Sequence, residues 1–126
     1  MQIDHRQTES AALAAFGVDA TSLLVAGDLR ALADQFGYAR ALGRDCVEAI
    51  RADLVSTLAE LEASAVVSAD RHPPRVSYFK PNDTGLFALV ECLVSVDNGK
   101  SVLIELIVTT DGTSTHVTLE DLSSAT

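Results

Sequence analysis

Leu86-Phe87-Ala88-Leu89-Val90-Glu91-Cys92-Leu93-Val94-Ser95-Val96, then Asp97-Asn98-Gly99-Lys100, then Ser101-Val102-Leu103-Ile104-Glu105-Leu106-Ile107-Val108: two long apolar, β-branched runs flank an Asn-Gly turn. This is the strongest short-range signal for a β-hairpin. Its register decides which residues share a face. If Asn98-Gly99 is a two-residue turn, Glu91 opposes Leu106 and each face carries one glutamate. If Asp97-Asn98-Gly99 is a three-residue loop with Gly99 left-handed, Val96 opposes Lys100 and Glu91 opposes Glu105. One face then holds Leu86, Ala88, Val90, Cys92, Val94, Val96, Val102, Ile104, Leu106 and Val108. The other holds Phe87, Leu89, Glu91, Leu93, Ser95, Ser101, Leu103, Glu105 and Ile107. A lone charge on a buried face is costly, so the second register is favoured.

Asp111-Gly112 marks a second turn. As a two-residue loop it sets Thr110 against Thr113 and Ile107 against His116. Thr115, Val117 and Leu119 extend the apolar face; Ser114, His116 and Thr118 extend the polar one. Upstream, Val76 to Lys80 reads as a strand and Ala65 to Ser68 as a short strand or a helix exit. Asp70-Arg71-His72-Pro73-Pro74-Arg75 between them is a loop, because two prolines exclude a helix interior or a central strand. The last residues, Ser123 to Thr126, are expected to be loose.

Helices occupy the first half. Residues 4–16 read as helical, with Gly17 as the stop. A short helix follows over Ser22 to Ala26. Asp28 caps another from Leu29 to about Leu42, with Leu29, Leu32, Phe36 and Ala39 on one face and Gly37 inside it. Asp45 and Glu48 have capping-box spacing. Behind them Val47, Ile50, Leu54, Leu58 and Leu61 make an apolar stripe to about residue 62. Helices first and strands last is the α+β pattern. The expected architecture is N-terminal helices on one face of a C-terminal antiparallel meander of three to four strands.

At 126 residues the chain fits one domain, 1–126. Its net charge is −9, with five basic against ten acidic residues in the first 63 and four against eight in the rest. Such a surface is a poor match for nucleic acid, whose binding rests on Lys and Arg. A basic protein fits better. Cys46 and Cys92 do not make a disulfide framework, and reduced thiols suggest a cytoplasmic protein. The N-terminus lacks a signal-type apolar core, and no run approaches the roughly 20 apolar residues of a membrane helix.

The candidate site is Glu91, Glu105 and His116 on the second face, with Phe87, Leu89 and Leu93 beside them. Opposed carboxylates about 5 Å apart could share a proton or hold a cation. A histidine diagonal to Glu105 could act as a general base. If the protein is an enzyme, Glu91, Glu105 and His116 are its candidate catalytic residues. The bland alternative is a solvated mixed face. Against it, Phe87, Leu89, Leu93, Leu103 and Ile107 are too apolar for open water, so a helix, a second subunit or a partner should cover them. Cys46 opens a capped helix, where a thiol is acidified, yet a structural role fits it better. Two arginines and a histidine in residues 71–75 could bind an anion, or pair with nearby carboxylates. No zinc spacing, phosphate loop or nucleophile elbow is present, and no cofactor is expected.

Leu24-Val25-Ala26-Gly27-Asp28-Leu29-Arg30-Ala31-Leu32-Ala33 and Phe36 resemble the helix-Gly-Asp-helix opening of NTF2-like (cystatin-like α+β) domains. The long strands ending in Asp97-Asn98-Gly99 and Asp111-Gly112 are similar to that superfamily's curved sheet. The resemblance covers about half the chain and implies a cone with a pocket between helices and sheet, often in a dimer. It departs in the middle, where a helix from Cys46 to Leu61 replaces a strand and a short helix. No catalytic residue carries over, because no matching Asp-His or Tyr-Asp pattern exists here.

The expected function is that of a small acidic, non-catalytic protein-binding domain. In size and charge it is analogous to toxin-immunity proteins that neutralise a basic effector. The alternative is an NTF2-like pocket domain that binds or converts a small molecule. A homodimer with packed sheet faces is the third reading.

Overall fold

The computed structural model describes residues 1–125. Three helices, α1 (Ser10–Val25), α2 (Leu29–Phe36) and α3 (Cys46–Glu60), precede most of the sheet. Its strands are β1 (Gln2–Ile3), β2 (Val66–Ala69), β3 (Arg75–Tyr78), β4 (Leu86–Val96), β5 (Ser101–Thr110) and β6 (Thr115–Ser124). All pair antiparallel, in the order β1-β6-β5-β4. β2 and β3 share the far edge of β4 end to end. The fold is α+β with helices against one sheet face; the meander is β3 to β6, and β1 and β2 raise the strand count to six. No helix of the described residues is long and apolar enough to cross a membrane.

The inner face is the aliphatic layer. Val90, Val94, Val102, Ile104, Leu106, Val108, Val117 and Leu119 are fully buried there, with Leu13, Leu32, Phe36 and Ile50 from the helices. α1 lies over β4, β2 and β3, while α3 and the turn after α2 lie over β6.

The β4–β5 loop takes the three-residue register. Val96 N–H donates to the Lys100 carbonyl, Gly99 has φ +85°, and Glu91 opposes Glu105. Asn98 shows why. Its side-chain amide donates to the carbonyls of Leu61 (2.8 Å) and Glu62 (3.1 Å), at the end of α3. A helix end leaves carbonyls without partners, so the loop is shaped to satisfy them. Asp97 accepts from Ser64 N–H and strengthens the junction.

Several boundaries differ from expectation. α1 runs straight through Gly17 and absorbs the short helix expected at Ser22 to Ala26. Gly17 is there for space: a Cβ would lie 2.7 Å from Cys92 Sγ and 3.0 Å from Val90 Cγ1. The residues expected to begin that helix form a separate 3-10 turn, His5–Thr8, capped by Asp4 and Gln7. α2 stops at Phe36 because Gly37 turns left-handed at φ +68°, and a 3-10 turn at Ala39–Ala41 follows. Asp45 caps α3 through Glu48 N–H, as expected. Ser123 and Ser124 are strand, not loose chain; Thr126 lies outside the described residues.

Two bulges alter the faces. β4 carries an extra residue, Phe87, between the pairs Leu86–Thr109 and Ala88–Val108. A bulge shifts side-chain alternation by one. Leu86 therefore leaves the apolar layer and is 39% exposed. Phe87 leaves the glutamate face, packs on the core and meets the Tyr78 ring edge-on at 5.7 Å. β6 carries an extra residue, Glu120, so Leu119 and Leu122 are both buried.

Candidate functional site

The outer face of the sheet is built from cross-strand rows. Leu89 and Ile107 make one row, flanked by Ser77 and Thr118. The next is Arg75, Glu91, Glu105 and Asp121, one residue from each of β3, β4, β5 and β6. The third is Leu93, Leu103 and Ser123. Successive rows stand about 6.7 Å apart and neighbours within a row about 4.8 Å. An acidic belt thus crosses the face, with leucine and isoleucine on either side. Leu89, Glu91, Leu93, Leu103, Glu105 and Ile107 are all half-buried.

Charge in the belt is unbalanced. Arg40, on the turn after α2, pairs with Asp121 at 3.1 Å and ties the helical layer to one end. Arg75 stands at the other end, opposite Glu91. Neither Glu91 nor Glu105 is in an ion pair among the described residues. Burial pushes the Glu105 carboxyl above the usual range, and Asp121, Glu91 and Glu120 push it further; Arg40 offsets part of this. This is a carboxylate whose charge is incompletely compensated.

His116 is not part of this cluster. The β5–β6 connection is a four-residue loop, in which Asp111 N–H donates to the Ser114 carbonyl and Thr110 opposes Thr115. Asp111 Oδ1 accepts from Ser114 N–H and from Thr113 N–H and Oγ1, which holds its carboxyl down at about 2. These donors favour the wider turn over the two-residue one. The register moves by two, keeping Val117 and Leu119 inside but setting His116 between Gln2 and Thr109. Thr109 lies four residues from Glu105, about 13 Å along the strand. Asp121 takes the place beside Glu105, and the Glu91–Glu105–His116 constellation is not assembled.

The loop after β2 borders the same face. Asp70 accepts from the His72 backbone N–H and contacts its ring at 2.7 Å, so its carboxyl lies below the usual range. His72, Pro73, Arg75, Glu91, Leu93, Leu103 and Ala125 line a hollow of about 520 Å³ on the outer face. A second hollow of about 240 Å³ lies between α1 and this loop, lined by Thr21, Ser22, Asp70, His72 and Cys92. Burial raises the Cys92 thiol to about 11, which keeps it neutral and unreactive. Cys46 is half-buried, and both thiols are free. No group of three His, Cys, Asp or Glu among the described residues is placed to hold a metal ion.

Sequence reasoning missed Asp121, Arg40 and Arg75 as members of the belt. Arg75 needed the β3–β4 register, and Asp121 needed both the four-residue loop and the bulge. The network at the α2–α3 connection also escaped it. There the buried Tyr38 hydroxyl donates to Asp53, and Arg44 donates to both oxygens of the same carboxylate. The chain matches no protein-family model, and comparison with curated proteins and with solved structures finds no significant similarity.

Proposed function

We propose that this chain is a non-catalytic binding protein that docks a basic protein partner on the outer face of its sheet. Its role would be that of a small acidic neutraliser of a basic effector. One observation carries the reading: Glu91 and Glu105 face each other with no ion-pair partner among the described residues, between Leu89, Ile107, Leu93 and Leu103, on the sheet face opposite the aliphatic layer that the helices cover. A purely solvated face would not gather these side chains, whereas a partner with a cationic centre and an apolar rim would satisfy both kinds. A second copy suits the face less well, because a two-fold stack brings belt against belt. Free Cys46 and Cys92 fit a cytoplasmic setting.

The test is charge reversal. The tagged chain is co-expressed with the basic products of neighbouring genes, and any complex is titrated. Glu91→Lys with Glu105→Lys should weaken it by 100-fold or more. Glu9→Lys with Asp19→Lys, the same charge change on exposed positions outside the sheet, should leave it within about threefold. Equal losses from both variants would refute docking on this face.

A second reading has the 240 Å³ hollow behind it, which mixes Thr21, Asp70 and His72 with apolar walls. It suits a small polar molecule, in the manner of an NTF2-like pocket. A thermal-shift screen tests it: a ligand whose stabilisation is lost in Thr21→Val supports the pocket, and an empty screen removes the reason for it.

A further inference from the structure

We infer that the partner segment seated on this face is an amphipathic α-helix lying along β4 and β5, with a lysine or arginine over the Glu91–Glu105 pair and an apolar residue four positions away on each side. The inference rests on the docking reading above and gives its occupant a shape.

β4 is paired by β2 and β3 on one side and β5 on the other, and β5 is paired by β4 and β6. The face therefore offers side chains and no free backbone ladder. An extended segment laid across it would leave its own N–H and C=O groups without partners. A helix satisfies those groups internally and needs only side-chain contacts.

The rows Leu89–Ile107, Glu91–Glu105 and Leu93–Leu103 recur about every 6.7 Å along the strands. Helix residues i−4, i and i+4 recur about every 6 Å on one side of the axis. An apolar-basic-apolar pattern at that interval meets all three rows at once. A helix 10–12 Å across spans roughly two strands at 4.8 Å spacing, and β4 and β5 are the two that carry all six residues.

Arg75 and Arg40 stand at the ends of the belt, and among the described residues neither is in an ion pair with Glu91 or Glu105. A single ammonium or guanidinium group there can donate to both carboxylates. The 520 Å³ hollow, which Arg75 and Glu91 line together with Leu93, Leu103, Pro73 and Ala125, gives the apolar residue that flanks the cation on that side a socket.

The probes are three synthetic 19-residue peptides in an Ala/Gln host. One carries Leu-x3-Lys-x3-Leu, one places the same leucines two positions from the lysine, and one replaces the lysine by glutamate. Each is titrated into the uniformly 15N- and methyl-labelled full chain, and peptide helicity is followed by circular dichroism. The expected result is induced helicity, shifts at the Leu89, Leu93, Leu103 and Ile107 methyls, and at least tenfold weaker binding of the other two peptides. Glu91→Gln with Glu105→Gln, which removes charge and keeps shape, should also weaken the first peptide at least tenfold. No binding, equal binding of the first two peptides, an extended bound peptide, or shifts confined to the β2, β3 or β6 edges would overturn the helix and leave the docking reading to its charge-reversal test. Strong binding by all three peptides, indifferent to both glutamine replacements, would overturn both.

Discussion

Replacing Glu105 by Gln should make the protein more stable, which is unusual for a half-buried position. Glu105 stands directly between Glu91 and Asp121 in the belt. A like-charged pair directly across a sheet costs roughly 0.2–1 kcal/mol. Two such pairs, one softened by the Arg40–Asp121 ion pair, give a net gain of about 0.5–1.5 kcal/mol for the neutral side chain at pH 7 and low salt. In a domain of this size about 1 kcal/mol moves the midpoint by roughly 3–5 °C.

The pH dependence follows from the raised Glu105 carboxyl. Between the ordinary carboxylate range and that raised value the folded chain binds more protons than the unfolded one, so wild-type stability falls as pH rises through the window. Glu105→Gln lacks this fall. The two proteins should converge below about pH 4 and stay apart at pH 7, and the gap should narrow in 0.5 M NaCl. Urea melts at pH 4 and pH 7, at both salt concentrations, measure all of this. A variant less stable than wild type at pH 7, or a gap that ignores pH and salt, would mean that Glu105 is anchored by contacts absent from this account.

The other predictions concern the scaffold. Gly17→Ala should cost about 1–3 kcal/mol despite the better helix former, because its methyl meets Cys92 Sγ at 2.7 Å; Cys92→Ala in the same chain should recover part of the loss in urea melts. Asn98→Ala should cost about 1–2 kcal/mol, since the carbonyls of Leu61 and Glu62 lose their donor, and amide exchange should speed up selectively at the end of α3. Arg44→Gln should bring the Asp53 carboxyl back toward the ordinary range, because Arg44 is the main cause of its depression. Wild type should lose the Arg44 contribution as pH falls through the lowered value, and carbon-detected titration of Asp53 measures the change.

The hairpin and its glutamate pair were legible because alternation and the cost of a buried charge act within one stretch of chain. The apolar face of β4 and β5 was readable for the same reason. The bulges at Phe87 and Glu120 were not, since local patterning does not show where two long strands slip by one residue as they curve over helices. Gly17 looked like a stop because propensity speaks before packing does; the close approach of α1 to Cys92 is a tertiary fact. Asp111-Gly112 looked like a two-residue turn because the Asp111 side chain's demand for three donors is not written in the dipeptide. The two-residue reading brought His116 beside Glu105, whereas the four-residue loop sets it against Thr109 and, with the bulge at Glu120, puts Asp121 there instead, so the pair was visible while its neighbours were not.

The most direct test of the central claim is methyl NMR of the labelled chain with and without a captured basic partner. The Leu89, Leu93, Leu103 and Ile107 methyls should shift or broaden, while the exposed Val18 and Val55 methyls on the helices stay unchanged. Perturbation of Val18 and Val55 with silence from the four sheet methyls would place the partner on the helices and contradict it.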